Sequence, residues 1–294
     1  RKALICSRNG GATALLNVLL PSIIQANQPH RIGLLTTLYI SAMSLSITIV
    51  SALAVPIVNV SSWQGLIITL TLICLCAFFI WFPNTKHNHM LEDKGRNHPV
   101  TSLLKNKKVW ALIIFCGLQS LLFYTAMTWL PTLALQAGLS KNASGILASV
   151  FSLVSLPFSM TIPSLTTRLS ARGRLIMISC VAAAGLSGVS MLLFQTDNFL
   201  YWLVLNLLIG ISVSALFPYL MVTFSLKTNT PEQTAQLSGL AQTGGYILAA
   251  LGPSLFGFGF DFFKSWTPGI LALLILTGIM TASLFYIEKF DKIL

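Results

Sequence analysis

Apolar residues do not alternate with polar ones along this chain; they come in runs of about 20, the length that crosses ~30 Å of hydrocarbon as a helix. Nine such runs can be marked, at about 9–25, 33–58, 63–82, 109–133, 144–166, 174–194, 199–223, 235–260 and 267–287. The pattern predicts an all-α polytopic membrane protein. The longest polar stretch runs from Asn84 to Lys108 and carries Lys86, Lys94, Arg96, Lys105, Lys107 and Lys108. It separates three spans from six.

Composition agrees with this reading. Hydrophobic residues make up 55% of the chain and charged residues 9%, against about a quarter charged in soluble domains. A bilayer can solvate that much apolar surface, and water cannot. The net charge is +11, from 18 Lys+Arg against 7 Asp+Glu. In a soluble chain this would raise nucleic acid as a partner, but here the cations fall between apolar runs, so no nucleic acid is expected. Placing Asn84–Lys108 on one side and alternating the spans puts Arg31, Arg168, Arg172, Arg174, Lys227, Lys289 and Lys292 on that side too. Lys141 and Lys264 fall opposite, with Arg1, Lys2 and Arg8 near the start. The positive-inside bias makes the loop and the C-terminus cytoplasmic. Trp63, Trp81, Trp110, Trp202 and Trp266 sit at span ends, where interfacial anchors are expected.

An internal repeat refines the architecture. Thr37–Pro56 (TLYISAMSLSITIVSALAVP) aligns without gaps on Thr234–Pro253 (TAQLSGLAQTGGYILAALGP) at an offset of 197, that is 253 − 56. Asn17–Pro21 falls on Ser214–Pro218 at the same offset, 218 − 21. Two prolines in successive helices at one offset indicate a parallel repeat of six spans. The second half starts near Val109, so its counterpart would start about 88 residues before Arg1, room for about three spans. The division expected is 1–83 for the last three helices of a first six-helix bundle, 84–108 for a cytoplasmic central loop and 109–294 for a complete second bundle.

Several stretches resemble one branch of the major facilitator superfamily, the cyanate-permease and 2-nitroimidazole-transporter group. They are Asn17–Pro21 with Pro29-His30, Tyr124–Pro131 (YTAMTWLP), and Ala235–Pro253 (AQLSGLAQTGGYILAALGP), most specifically its L-S-G-x-A-Q-x-x-G-Y part. The resemblance implies the major facilitator fold, with nine of twelve helices present here. It implies secondary active transport by alternating access, with a small-molecule substrate, a cyanate-like anion or a small polar heterocycle. It implies a multi-pass protein, a monomer, in the bacterial inner membrane. An efflux carrier for toxic compounds is the alternative on the same fold; a non-transporting scaffold or sensor is a second. Arg1–Gly10 departs from the apolar, Gly-rich start of the family's fourth helix. Thr167–Arg174 (TRLSARGR) keeps the arginines of the superfamily's loop motif but has Thr167 where an acid is common.

In this fold the resemblance assigns the cavity to spans one, two, four and five of each half. Polar side chains there are costly in lipid and turn inward. Ser238, Gln242 and Tyr246 are spaced by four and share one helix face. Gln119, Tyr124 and Trp129 lie in the first span of the second half, and Asn17 and Asn206 are mid-span in theirs. These eight are the candidate pathway residues; interhelical hydrogen bonding would call for the same residue types. Pro56 and Pro253 are read as helix-bending positions.

Other chemistry finds little support. No acid lies mid-span: the seven are Glu92, Asp93, Asp197, Glu232, Asp261, Glu288 and Asp291. Cys6, Cys74, Cys76, Cys116 and Cys180 show no zinc-type pairing, and His30, His87, His89 and His98 all fall in loops. No metal and no cofactor is expected. Gly185–Gly188 (GLSG) matches a tetrapeptide of intramembrane serine proteases, but no general base is in reach of Ser187. There is no HExxH and no P-loop, so the chain is read as a non-enzyme.

Overall fold

The computed structural model describes residues 17–83, 100–194 and 196–294. The histidines at 87, 89 and 98, Cys6 and most of the central loop lie outside the described residues. Among the described residues there are nine long helices and no strand. We number them α1 (17–27), α2 (Ile32–Ser61), α3 (Trp63–Trp81), α4 (Lys107–Gln136), α5 (Lys141–Arg168), α6 (Ala171–Met191), α7 (Phe199–Leu226), α8 (Pro231–Phe263) and α9 (Thr267–Glu288). Seven of them, α3 to α9, are long and apolar enough to cross a membrane. All nine lie on the runs read from sequence.

Helix ends follow local chemistry. The first N–H groups of a helix lack intrahelical acceptors, and here short polar side chains supply them. Asn106 accepts from the Lys108 N–H, Ser140 from Ala143, Ser170 from Gly173, Asn198 from Leu200 and Tyr201, and Thr230 from Gln233. Pro231, the first residue of α8, loses nothing there because that N–H would be unpaired anyway. α5 is broken at Val154 into Lys141–Leu153 and Ser155–Arg168. Pro157 explains the break, since its ring clashes with the carbonyl four residues back, that of Leu153.

Two pairs of helix ends lie close to the sequence offset of 197, while later pairs drift, α3 and α9 starting 204 apart (267 − 63). α1 ends at 27 and α7 at Leu226, 199 apart (226 − 27). α2 starts at Ile32 and α8 at Pro231, again 199 apart (231 − 32). Both agree with the sequence offset within the usual uncertainty of helix ends.

The chain divides into two compact units, Arg1–Ile40 with Asn97–Leu294, and Ser41–Arg96. In the second, α3 leaves Ile67, Ile68, Leu72, Ile73 and Phe79 exposed, a surface that suits lipid or other helices rather than water. Ser62, in the left-handed region at φ 86°, turns the chain between α2 and α3.

In the first unit α4 and α7 form the centre. Leu112, Phe115, Leu205, Leu216, Leu220 and Phe224 are fully buried around them. α4 pairs with α8 through small residues. A Cβ at Gly117 would lie 3.1 Å from the Gly245 Cα, and one at Gly252 would lie 2.6 Å from Leu121 and 2.7 Å from Thr125. Such close backbone approach is how helices gain packing where lipid gives no hydrophobic drive. The opposite face of α8 shows Ile247, Leu251, Leu255, Phe258 and Phe262, at spacings of three and four, to the surroundings. A continuous apolar stripe of this kind suits lipid or other helices rather than water.

Two of the expected interfacial anchors are corrected. Trp202 and Trp266 are 1% and 6% exposed and belong to the core. The Trp202 indole donates to the Thr196 carbonyl at 2.7 Å, and the Trp266 indole to Gln136 Oε1 at 2.5 Å. Trp110 is exposed, with its indole donating to the Leu104 carbonyl at 2.7 Å.

Candidate functional site

A gathering of polar side chains in the first unit lies where α1 runs along the N-terminal half of α8. On α1 the contact face is 17, 18, 21, 22 and 25; on α8 it is 231, 234, 238 and 242, both at helical spacing. The two helices run in opposite directions there. Gln242 Nε2 donates to the Asn17 carbonyl at 3.4 Å, and Ser238 Oγ to the Val18 carbonyl at 2.8 Å. Ser22 Oγ donates to the Pro231 carbonyl at 2.7 Å. The Thr234 hydroxyl donates to Gln25 Oε1. From the end of α7, Ser225 Oγ donates to the Pro21 carbonyl at 3.2 Å. Gln25 Nε2 returns the contact to the carbonyls of Ser225 and Thr228 at 3.4 and 3.5 Å.

A second contact lies at the start of α2. Thr37 and Ser164 share a hydroxyl hydrogen bond of 3.0 Å. Gly33 meets α5 so closely that a Cβ there would collide with the Thr167 side chain and lie 3.0 Å from the Pro163 carbonyl.

Deeper along α8 the polar stripe continues without being fully paired. Gln242 is 1% exposed, and its Oε1 has no hydrogen-bond partner. The Tyr39 hydroxyl, on α2, is likewise buried without one. The Tyr246 phenol lies within electrostatic reach of Tyr39, Tyr124 and Cys116. A buried polar atom left unpaired is costly, so Gln242 Oε1 and the Tyr39 hydroxyl are groups that a polar partner would stabilise.

The structure therefore brings Asn17, through its backbone carbonyl, together with Ser238 and Gln242 at one seam; Tyr246 follows one turn further along α8, with Tyr39 and Tyr124 nearby. The other candidates sit elsewhere. Gln119 is buried and ties α4 to α7, donating to the Val213 carbonyl at 3.1 Å. Asn206 is buried and bonds back to the Trp202 carbonyl at 2.8 Å. Trp129 donates to the Pro253 carbonyl at 2.9 Å and packs with Phe256 and Trp266, ring centroids 6.2 and 5.2 Å away. Both prolines lie within helices that run on past them, Pro56 in α2 and Pro253 in α8.

Sequence reasoning passed over Tyr39 and Gln25. Tyr39 was readable as a mid-span polar aromatic, while Gln25 sits at a span end, where polarity is ordinary. A third group was also missed. The Glu288 carboxylate, with a side chain 2% exposed, pairs with Arg174 Nε at 2.6 Å and Lys227 Nζ at 3.3 Å. It also accepts from the Tyr219 hydroxyl at 2.6 Å. A cavity of about 160 Å³ lies beside it, lined also by Thr166, Thr223 and Asp291. These charges come from the ends of three helices, α6, α7 and α9. Burial holds the Lys227 amine below its ordinary value, and the Glu288 charge pulls against that less strongly. Among the described residues there is no cluster of His, Cys, Asp or Glu fit to hold a metal.

The fold and sequence comparisons agree. The Major Facilitator Superfamily profile matches residues 9–253. The chain is 29% identical over 277 residues to the uncharacterized transporter YycB of Bacillus subtilis (strain 168), covering 93% of this chain and 68% of that protein. It is 30% identical over 274 residues to the 2-nitroimidazole transporter of Escherichia coli (strain K12), covering 92% and 68%. To the cyanate transport protein CynX of the same organism it is 21% identical over 245 residues, covering 83% and 62%. Its fold matches a bacterial homologue of the iron transporter ferroportin, crystallised in an outward-facing state, with a TM-score of 0.65 at 13% identity. That match covers 87% of this chain and 65% of the other. The apolar helices and the profile match over most of the sequence meet in one conclusion: this chain, a membrane transporter homologue and not an enzyme, belongs to the Major Facilitator Superfamily.

Proposed function

We propose that the protein is a secondary transporter that moves a small polar heterocycle or a cyanate-like anion by alternating access. The observation that carries this is the hydrogen-bonded seam between α1 and α8. On the division at 1–83, 84–108 and 109–294, α1 belongs to the first bundle and α8 to the second. The bonds between Ser22, Gln25, Ser225, Pro231 and Thr234 then form a latch that closes one end of the path. The unpaired groups of Tyr39 and Gln242 lie further in. Each bond of the latch is worth only ~1 kcal/mol net, so the closed state can be given up when a ligand binds the other state better.

Tyr39, Tyr124 and Tyr246 offer phenols, and Asn17, Ser238 and Gln242 offer amides and a hydroxyl. Uncharged donors and acceptors beside aromatic faces suit a flat polar solute. The relatives named for 2-nitroimidazole and cyanate support the same class. Gln119 and Trp129 serve the path by holding α4 against α7 and α8, while Asn206 braces α7 internally. The latch end is the cytoplasmic side, by the positive-inside bias of Arg31, Arg168, Arg172 and Arg174. The protein works as a monomer in a bacterial inner membrane.

Accumulation of labelled 2-nitroimidazole and of cyanate in cells with and without the protein tests this reading. A change in either is expected, and Gln242→Ala with Tyr246→Ala should abolish it. Transport that survives the double change removes the site assignment. An export phenotype for several unrelated toxic compounds would favour the efflux alternative.

A further inference from the structure

The turn between α7 and α8, Lys227 to Thr230, is held from two sides. On one side it meets the latch. The Thr228 carbonyl accepts from Gln25 Nε2 at 3.5 Å, and the Thr228 hydroxyl shares a 2.5 Å hydrogen bond with that of Thr234. Thr234 in turn bonds Gln25. On the other side it meets the segment that follows α9. The same Thr228 carbonyl accepts from Lys292 Nζ at 2.6 Å. The Lys227 carbonyl accepts from the N–H groups of Ile293 and Leu294 at 2.8 and 3.3 Å. Lys227 Nζ donates to the Phe290 carbonyl at 2.5 Å, and Asn229 Nδ2 to the Leu294 carbonyl at 3.1 Å.

The segment is itself anchored to elements other than the turn. Asn106 Nδ2 donates to the Ile293 carbonyl at 3.3 Å, and Lys108 Nζ lies 4.1 Å from the centre of the Phe290 ring. Ile293 is buried. At the head of the segment stands Glu288, fixed by Arg174 and Lys227. A short piece outside the helices with this many partners is a structural member.

One carbonyl, that of Thr228, thus takes a hydrogen bond from the latch and another from the segment. Anything that moves the segment moves the turn, and with it the two residues that grip α1. We propose that residues 289–294 form a strap that regulates opening of the latch, by holding the 227–230 turn where Thr228 and Thr234 can bond Gln25. With the strap in place the latch end rests closed; with the strap released it opens more often. The proposal rests on the reading of the α1–α8 seam as a latch, and its test separates the two.

The reporter is a single cysteine at position 22, in a protein whose five native cysteines are replaced. Ser22 is 3% exposed, so a thiol there reacts with a maleimide only when the seam opens. The rate is read in detergent, where sidedness plays no part. Gln25→Ala cuts the latch directly and sets the open rate. Deleting residues 290–294 is expected to raise the labelling rate about tenfold, as expected for losing a charge-assisted hydrogen bond and its neighbours. Lys292→Met should raise it a few-fold, and Lys292→Arg should restore it. Added to Gln25→Ala, the strap changes should raise it no further. Thermal stability of each variant is measured alongside. A deletion that melts early is set aside, and the Lys292 pair decides. If Gln25→Ala speeds labelling and neither strap change does, the strap is overturned and the latch stands. If Gln25→Ala has no effect either, both fall.

Discussion

One added methyl group at Gly245 tests how tightly α4 and α8 are joined. A Cβ at that position would lie 2.9 Å from Cys116 Sγ, 3.0 Å from the Gly117 nitrogen and 3.2 Å from Cys116 Cβ. Carbon needs about 3.5–4.0 Å, and the Gly117 nitrogen is backbone, so no side-chain rotation relieves the clash. The helices must part by about half an ångström or more, and the contacts of Gly252 with Leu121 and Thr125 loosen as well. Overpacking of this kind costs ~1–3 kcal/mol, against which alanine regains up to ~1 kcal/mol of helix propensity over glycine. Gly259→Ala, on the same helix, has nothing within 4 Å of the new Cβ and keeps only the gain. Gly244→Ala meets Ile113 Cγ2 at 2.9 Å, a single side-chain contact with no backbone atom behind it, and should fall between. Thermal unfolding in detergent, followed by tryptophan fluorescence, should therefore rank Gly259→Ala above Gly244→Ala above Gly245→Ala. The two extremes should differ by several degrees, since each kcal/mol moves Tm by about 2–4 °C. Equal midpoints, or Gly245→Ala as the most stable, would refute the close α4–α8 packing.

Three further outcomes can be checked by the same melts. Glu288→Gln leaves Lys227 buried without a full counter-charge and should cost ~3–5 kcal/mol, with much of it recovered when Lys227→Met is added. Because burial holds the Lys227 amine below its ordinary value, the folded state binds fewer protons than the unfolded chain between the lowered value and the ordinary one. Stability from this group rises with pH through that window, so the Tm difference between the natural protein and Lys227→Met should grow in favour of the natural protein; a shrinking difference contradicts the assignment. Trp129→Phe keeps the ring among Phe256 and Trp266 but loses the bond to the Pro253 carbonyl, for a loss of ~1 kcal/mol, while Trp129→Ala should lose ~3–5 kcal/mol.

The spans were legible because bilayer thickness sets their length, and each residue of a run contributes to the signal. Caps such as Asn106, Ser140 and Thr230 are local and could be read as well. What could not be read depended on which helices meet. Trp202 and Trp266 stand at span ends, and hydropathy places a residue along the membrane normal but not around the helix, so core and lipid interface look the same. Arg174, Lys227 and Glu288 each resemble an ordinary loop charge; only the convergence of three helix ends makes them one buried cluster. Gln242 was legible as an inward residue from its spacing to Ser238 and Tyr246. Its partner, a backbone carbonyl on another helix, carries no sequence mark.

α8 has 33 residues, about 50 Å of helix at 1.5 Å per residue, against ~30 Å of hydrocarbon. Even when tilted, such a rod protrudes from the oily layer. Pro231 and Thr234 lie in its first turns, facing Ser22 and Gln25 of α1; in the transporter proposed above that end reaches the headgroup layer, where water can take over a hydrogen bond once the seam opens. Gln242 lies three turns in, out of reach of that rescue. The same type of bond thus has a different character along one helix: at the tip it is a reversible fastener that hydration can open, and further in it is a commitment that only another polar molecule can replace.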